Sequence, residues 1–291
     1  YDNYLHPETA QDRALDHQNN HRSKSGASLV MAAIALAEYQ APPGSDPRGV
    51  RDPALWLEYG LEQVDLVLRF VTLAGDGAYA EGPFYWRYAS QNVIPMARAW
   101  DRLVNGATWR ARGIDVPSLW RHPLFARTQR WMLDVTLPDG SLAPFDDGNP
   151  GQSHYFGAVP PGLPDAAAFA WRFANAPAPF DTDGNVDLGP DVIALGDEGL
   201  AAAEPKGSPT AFYVEGGNAV FRSDWSLDAV MALALAEHDT AALFGRDRDG
   251  LGVVPQSHEH LEPGAFLLHA YGERLALDPG YISFAQRASV N

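Results

Sequence analysis

The stretch ALWLEYGLEQVDLVLRFVTL, residues 54–73, indicates the fold class of the first half of the chain. Its apolar positions lie on one stripe at a spacing of three or four residues, beginning with Leu57, Leu61 and Val64. That period is typical of an α-helix that buries one face against other elements. We therefore predict a helical first half.

Other segments carry a similar pattern. Residues 25–39 combine apolar positions at helical spacing with many alanines, which also favour helix by propensity. A helix over residues 85–103 is predicted to be interrupted at Pro95, because proline lacks the amide N–H that an interior turn needs. We predict a fourth helix over residues 124–137. A short helical island over residues 166–173 lies within a stretch rich in proline, glycine and aspartate.

The pattern changes near KGSP, residues 206–209. Beyond it, short apolar runs are separated by turn signals, which predicts antiparallel strands. These runs lie at residues 213–222, 229–236, 265–271 and 274–277. The alanines of the second run prefer helix, but its length and its neighbours favour strand. We therefore predict a helical domain over residues 1–205 and a β-rich domain over residues 206–291.

Composition excludes several classes of protein. The chain has 291 residues, with 21 Lys and Arg against 37 Asp and Glu, so its formal net charge is −16. A nucleic-acid binder needs a surplus of cations that this sequence lacks. The absence of cysteine excludes disulfides, a thiolate zinc site and a cysteine nucleophile. The longest apolar run is far shorter than the ~20 residues that cross a bilayer, so no membrane span is expected.

The first group of candidate site residues is NNHRSK, residues 19–24. An ordinary helix cap explains any single member. Taken together, Asn20, Arg22 and Lys24 can bind a carboxylate. His21 adds a base near neutral pH, because an unperturbed imidazole titrates at about 6.5.

The second group is DGAYAEGPFYWRY, residues 76–88. On a helix, Tyr85 and Tyr88 share a face, with Glu81 near the helix start. A phenol can donate a proton, or act as a base when a nearby cation lowers its pKa from about 10. Trp86 is equally typical of an aromatic core, and Arg87 points to another face.

The third group is SHEHLE, residues 257–262. On a strand, His258 and His260 point to the same face, which suits a metal ion or a substrate carboxylate. Two exposed loop histidines are the alternative. Asp278, in the later turn LDPGY, can add an oxygen ligand.

Paired carboxylates leave a different chemistry open. Asp146 and Asp147, or Asp76 with Glu81, could serve a glycoside hydrolase. Turn residues explain the run at 146–148 equally well.

These three groups, in this order, resemble the heparinase II/III-like polysaccharide lyases, a family that includes alginate lyases. There, an Asn-His pair opens a helix of an incomplete α/α toroid, a segment with the catalytic tyrosine follows, and a His-x-His strand belongs to an antiparallel β-sandwich. GNAVFRSDW, residues 217–225, looks like the first sandwich strand, and DPGY, residues 278–281, looks like the metal-bearing turn. The resemblance implies an incomplete toroid over residues 1–205 and the start of a sandwich over residues 206–291.

The sequence also departs from the family pattern. Glu262 stands where the family usually has Asp, and a later histidine ligand has no counterpart before Asn291. Toroid helices before Asn19 and most of the sandwich after Tyr281 are missing. We therefore expect either a piece of a longer enzyme or an unusually short member.

The resemblance implies β-elimination at a uronic acid. A base removes the C5 proton, an acid protonates the bridging O4, and a C4–C5 double bond remains. By resemblance, Asn20 holds the carboxylate with help from His258, and His21 is one candidate base. Tyr85 is the first choice for the acid, and Tyr88 is the alternative.

The remaining roles are also implied by the resemblance. Residues expected to bind the substrate are Arg87, Arg22, Lys24, Glu81 and Trp86. A structural zinc ion would be held by His260 and Asp278.

The sequence does not name the polymer. Alginate, a heparin-type glycosaminoglycan and an exopolysaccharide all present the same proton and carboxylate. The alternatives are a glycoside hydrolase on an α/α barrel and an inactive carbohydrate-binding relative. The expected partners are an acidic polysaccharide and a second copy of the chain in a homodimer, and the expected location is periplasmic or secreted.

Overall fold

The computed structural model describes residues 20–46, 49, 51–70, 76–104, 109–111, 114–116, 118–148, 162–175, 199–236 and 264–278. Its helices are α1 (Asn20–Ala35), α2 (Pro53–Phe70), α3 (Gly82–Val104), α4 (Pro123–Val135) and α5 (Ala166–Asn175), with a 3₁₀ turn at Leu119–Arg121. A two-stranded hairpin is formed by β1 (Trp109–Ala111) and β2 (Ile114–Val116). The larger sheet contains β3 (Ala211–Tyr213), β4 (Asn218–Arg222), β5 (Met231–Leu235), β6 (Phe266–Ala270) and β7 (Glu273–Ala276).

Helices α1 and α2 approach closely because each has a glycine at the contact. A Cβ on Gly26 would lie 2.8 Å from the carbonyl oxygen of Gly60. A Cβ on Gly60 would lie 2.5 Å from the carbonyl oxygen of Gly26. The apolar stripe of α2 lies in the same core, with Leu61 and Val64 buried beside Val30 of α1. The sequence pattern therefore predicted the buried face, and the two glycines set the distance between the helices.

Two helices begin earlier than predicted. Helix α1 starts at Asn20 rather than at residue 25, and α3 starts at Gly82 rather than at residue 85. The predicted interruption at Pro95 is wrong, because α3 continues through it. Loss of one backbone hydrogen bond is outweighed there by burial of the neighbouring Ile94 and Met96 in the core.

The predicted helices at residues 124–137 and 166–173 are confirmed as α4 and α5. His122 caps α4, since its Nδ1 accepts a hydrogen bond from the Leu124 amide at 3.2 Å. Pro123 occupies the first helical position. A backbone N–H there would have no hydrogen-bond partner within the helix, so proline is tolerated. The sequence analysis missed the β1–β2 hairpin, whose strands are only three residues each.

The larger sheet is an antiparallel meander in the order β3-β4-β5-β6-β7. The ambiguous run at residues 229–236 contains strand β5, as predicted. Met231, Leu233 and Leu235 point to the buried face, while the intervening alanines are partly exposed. This period of two is the signature of a sheet with one covered face. Cross-strand pairing outweighs the helix propensity of the alanines.

The covered face of the sheet lies against the end of α4. Arg222 donates to the carbonyl oxygens of Asp134 and Thr136, and Arg172 of α5 donates to those of Leu137 and Pro138. These acceptors belong to the end of α4 and the residues after it, where carbonyls lack helical partners. Cations at this end also complement the helix dipole.

A junction cluster links α4 to the sheet, and we define it as Arg130, Asp134, Tyr213 and Arg222. The Asp134 carboxylate lies 3.1 Å from Arg130 Nε and accepts a 2.6 Å hydrogen bond from the Tyr213 hydroxyl. Burial raises the pKa of Asp134 although Arg130 opposes that shift. Burial and the nearby Arg172 lower the pKa of Arg222 to about 9. The cluster thus contains an acid that faces cations.

The described elements confirm helices followed by an antiparallel sheet. The toroid, the sandwich and the division into domains at residue 206 stay predictions. Among the helices of the described ranges, none is both long enough and apolar enough to span a bilayer.

Candidate active site

The structure brings together two of the three groups of candidate residues. The backbone N–H of Asn20, at the start of α1, donates to Glu81 Oε2 at 2.7 Å. The Asn20 side-chain amide donates to the same oxygen at 3.2 Å. The two residues are 61 positions apart in the sequence. The starts of α1 and α3 are therefore joined by buried hydrogen bonds.

Glu81 is fully buried, with 0% of its surface exposed. Burial raises the pKa of Glu81 to about 8, and the negative charge of Asp147 adds to the shift. Hydrogen bonds from Asn20 and from the Tyr79 hydroxyl, which lies 3.3 Å from Oε2, oppose it. Much of the Glu81 population is consequently neutral near pH 7.

The exposed side of this region carries an imidazole, a cation and a phenol. His21 is exposed on the first turn of α1. Lys24 Nζ lies 3.1 Å from the centroid of the Tyr88 ring and 3.3 Å from Gln91 Oε1. The Tyr85 ring lies edge-on to that of Tyr88, with centroids 6.1 Å apart, and Tyr85 is 8% exposed. His21, Lys24 and Tyr88 therefore reach the surface, where they can meet a polar ligand, while Tyr85 is buried beside Tyr88.

A rigid loop carries Glu81 to this position. Asp76 Oδ2 accepts hydrogen bonds from the amides of Glu215 and Gly216, in the turn between β3 and β4, at 2.7 and 3.3 Å. Gly77 has φ of 95°, and a Cβ there would lie 2.6 Å from the carbonyl carbon of Arg127 in α4. The loop is therefore held between α4 and the sheet.

Several residues predicted to bind substrate lie in the interior. Arg22 donates to Gln63 Oε1 of α2. Arg87 is fully buried, and Trp86 is buried with its ring 5.0 Å from that of Tyr79. Arg87 and Trp86 lie in the second turn of α3, which starts at Gly82, and that turn places both side chains in the core. Contact with a polymer stays a prediction for these residues and for Glu81, but in this fold they lie beneath the surface.

The third group lies mostly outside the described residues. His258 and His260 fall there, so their predicted roles are not tested. Asp278 is described, and it lies half-buried two residues beyond the end of β7. Within the described ranges, no cluster of three His, Asp or Glu side chains could hold a metal ion. The zinc ion therefore stays a prediction.

The carboxylates considered for a hydrolase are not exposed pairs. Asp146 and Asp147 are 1% and 0% exposed. Asp76 binds backbone amides of the sheet, while Glu81 binds Asn20. Gly82 permits the approach of Asp146 to the start of α3, since a Cβ there would lie 2.8 Å from Asp146 Oδ2. A carboxylate at this place suits the helix N-terminus.

Tyr79 also contributes to this region, a role that was not predicted from the sequence. Its hydroxyl donates to Glu81, and burial raises the pKa of Tyr79 well above its usual value. Its position two residues before Glu81, in a loop between glycines, was the available signal.

Comparison with solved structures shows a likeness of fold. The chain is similar to a structure of heparinase III, with 14% identity and a TM-score of 0.56, over 91% of this chain and 35% of that one. It is also similar to the heparan sulfate lyase HepC from Pedobacter heparinus, with 16% identity and a TM-score of 0.53, over 90% and 33% of the two chains. A mutant of that lyase matches with 14% identity and a TM-score of 0.51, over 88% and 32%.

The chain therefore spans about a third of the length of these structures. No family model matches the sequence. No curated protein matches it either. The likeness supports a heparinase-like arrangement of helices followed by an antiparallel sheet.

Proposed function

We propose that this protein is a polysaccharide lyase that cleaves a uronic-acid-containing polymer by β-elimination. The observation that carries the proposal is the meeting of the starts of α1 and α3. There, hydrogen bonds join Asn20 to Glu81, and Lys24 of α1 lies against the Tyr88 ring of α3. The heparinase-like fold supports the same conclusion.

The reaction requires three chemical contributions. A base removes the C5 proton, and the electron pair of the C–H bond moves toward the neighbouring carboxylate. Expulsion of O4 then forms the C4–C5 double bond, and an acid protonates the departing oxygen. Because the intermediate carries extra negative charge beside a carboxylate, hydrogen-bond donors or cations must stabilise it.

Residues of α1 and α3 match these contributions. His21 is the proposed base, since it is exposed on the first turn of α1. Lys24 supplies positive charge beside the Tyr88 ring, where it can also pair with a uronate carboxylate. Tyr85 is the first choice for the acid at O4, and Tyr88 is the alternative. Asn20 is buried, so a substrate carboxylate reaches its amide only if the covering side chains part.

Four further proposals come from the sequence alone. His258 would assist Asn20 in holding the carboxylate, and His260 with Asp278 would hold a zinc ion. A periplasmic or secreted location and a homodimer complete this set. Metal analysis and light scattering of the purified protein test the zinc ion and the dimer.

The test is the ultraviolet absorbance of the new C4–C5 double bond. The purified protein is incubated with alginates, heparin-type glycosaminoglycans and other uronate polymers. We expect absorbance to rise on at least one polymer. Tyr85→Phe should lower kcat by about 10²- to 10⁴-fold, the usual contribution of a proton-transferring side chain.

Tyr39→Phe is the matched control, because Tyr39 is an exposed tyrosine beyond the other end of α1. It should leave the rate unchanged. If Tyr88→Phe rather than Tyr85→Phe abolishes turnover, the acid is Tyr88. Release of reducing ends without absorbance would replace the lyase with a hydrolase. Binding without any product would indicate an inactive carbohydrate-binding protein.

A further inference from the structure

We propose that Glu81 is a positioning residue, which fixes the Asn20 carboxamide from below instead of contacting the substrate. This inference rests on the proposed lyase function, and it gives Glu81 a different role from the substrate-binding one that the sequence suggested.

The hydrogen bonds around Glu81 converge on one oxygen. Oε2 accepts from the Asn20 backbone, the Asn20 amide and the Tyr79 hydroxyl at 2.7, 3.2 and 3.3 Å. Oε1 is buried and has no hydrogen-bond partner among the described residues. Two of the three donors belong to Asn20, so Glu81 fixes both the backbone and the side chain of that residue.

Asn20 keeps hydrogen-bonding capacity after this contact. Its Oδ1 is buried without a partner in the described part of the chain. Its Nδ2 carries two hydrogens, of which the contact with Glu81 uses one. The other hydrogen can donate to a substrate carboxylate once the covering side chains part, provided that the amide keeps its orientation. A residue that holds the amide in place therefore affects the rate without touching the substrate.

The charge state of Glu81 matters for this role. Among the described residues, the titratable groups that act on it are Tyr79, from its own loop, and Asp147, from the segment after α4. Asp147 carries a like charge, and α1 contributes only the amide groups of Asn20. A neutral carboxyl at Glu81 orients the amide without repelling a uronate. An ionised one adds a negative charge just beneath the place where the uronate carboxylate must lie.

The expected pH dependence follows from the sign of this charge. Because burial raises the pKa of Glu81 to about 8, the neutral form predominates below that pH. Activity should therefore fall as the pH rises through about 8, where Glu81 loses its proton. In Glu81→Gln the side chain stays neutral and of similar shape, so that fall should be absent.

The experiment measures kcat and KM from pH 6 to 10 on the polymer that gives absorbance. Glu81→Ala should lower kcat about 10- to 100-fold with little change in KM, as expected when a catalytic group is misplaced by about 1 Å. Glu81→Gln should keep kcat within about threefold at neutral pH and lose the alkaline decline. Glu38→Gln is the matched control. Glu38 is an exposed glutamate after the other end of α1, so its profile should follow the wild type.

A folded Glu81→Ala variant with wild-type kcat would overturn the proposal. If that variant does not fold, Glu81→Gln decides, and an unchanged alkaline decline there would also overturn it. A second readout separates this inference from the proposed function. The side-chain amide resonances of Asn20 in nitrogen-15-labelled protein should shift with the titration of Glu81 and stay constant in Glu81→Gln. If the wild type is inactive but its Asn20 resonances shift with pH, the lyase is refuted and the contact between Glu81 and Asn20 is retained. If the Asn20 resonances do not change with pH, the positioning role is refuted.

Discussion

Two buried carboxyl groups of this protein lie in opposite electrostatic surroundings. In the junction cluster, Asp134 faces Arg130 at 3.1 Å and lies near Arg222. At the starts of α1 and α3, Glu81 is bound by amides and a phenol, and the charge that acts on it is that of Asp147. The first acid has cations to balance it, and the second has a like charge.

This difference separates a structural site from a candidate functional one. A buried acid paired with a cation stabilises one arrangement of the elements around it. A buried acid without a cation is unfavourable when ionised, and strongly shifted groups of this kind are concentrated at functional sites. The same substitution of an acid by its amide should therefore have opposite effects on stability at the two places.

The largest effect on stability is expected from Asp134→Asn in the junction cluster. The change keeps the shape of the side chain but removes the negative charge that faces Arg130 and Arg222. We expect the free energy of unfolding at pH 7 to fall by about 2–3 kcal/mol. Both carboxylate oxygens of Asp134 accept hydrogen bonds, from Arg130 and from Tyr213, and the amide of asparagine leaves a buried donor without an acceptor. Urea unfolding measures this change in the free energy of unfolding. Asp228→Asn, at an exposed acid in the turn between β4 and β5, should have little effect. Equal stability of Asp134→Asn and the wild type would refute the comparison.

The next effect concerns the loop that connects the two regions. Gly77→Ala should lower the free energy of unfolding by about 2 kcal/mol, because it combines a positive φ with overlap against the backbone of α4. Gly207→Ala is the matched control. Its φ of 96° is nearly the same as the 95° of Gly77, but nothing lies within 4 Å of its Cβ position. It should cost only about 1 kcal/mol. Equal losses of stability in Gly77→Ala and Gly207→Ala would mean that α4 does not fix the loop.

A third prediction concerns the pH dependence of stability at Glu81. Its pKa in the folded protein is raised to about 8 from an ordinary value of 4.5, so between these values the folded state binds a proton that the unfolded state has lost. The free energy of unfolding of the wild type should therefore fall as the pH rises from 4.5 to 8. Glu81→Gln cannot titrate and should be more stable than the wild type at pH 9. Glu38→Gln, at an exposed glutamate after α1, should leave the slope unchanged. Parallel slopes in the wild type and Glu81→Gln would contradict the assignment.

The smallest effect is expected at Arg274 on β7. Its Nη2 lies 2.6 Å from Asp139 Oδ2, but both side chains are about a quarter exposed, at 25% and 28%. We expect Arg274→Ala to lower the free energy of unfolding by about 0.5–1 kcal/mol, as is usual for such pairs. Burial raises the pKa of Asp139, but hydrogen bonds from Ser141 and Arg274 outweigh it, and the net shift is downward. The stabilisation should therefore be present at neutral pH and be lost in acid. Thermal unfolding of Arg274→Ala and the wild type at pH 7 and pH 3 measures this difference in stability. A larger destabilisation by Arg274→Ala at pH 3 than at pH 7 would contradict the pairing.

Local pattern predicted most of the described fold. The stripe in α2 and the alternation in β5 follow from periods of 3.6 and 2 residues, which need no knowledge of the tertiary structure. The first turns of α1 and α3 were missed because their stabilisation is not local. Glu81 accepts from the Asn20 amide at the start of α1, and Asp146 approaches Gly82 at the start of α3. Long-range capping of this kind leaves no periodic signal.

The sequence predicted which two segments contribute to the candidate site, but not how their side chains are arranged in space. The residue types at Asn20, His21 and Lys24 indicated carboxylate binding and proton transfer, and Lys24 does lie against Tyr88. Arg87 and Trp86 are buried because of the way α3 is oriented against the core. A sequence motif does not specify that orientation, because both residues are compatible with a surface or an interior position.

The sequence by itself determined the class of the elements, the order of helices before strands, and the two segments that carry candidate chemistry. These follow from hydrophobic period, propensity and residue type, which act over a few residues. Only the tertiary structure decided that Glu81 contacts Asn20 and that Asp134 faces Arg222. Burial and charge at these acids depend on partners far apart in the chain, so their protonation is a property of the folded arrangement.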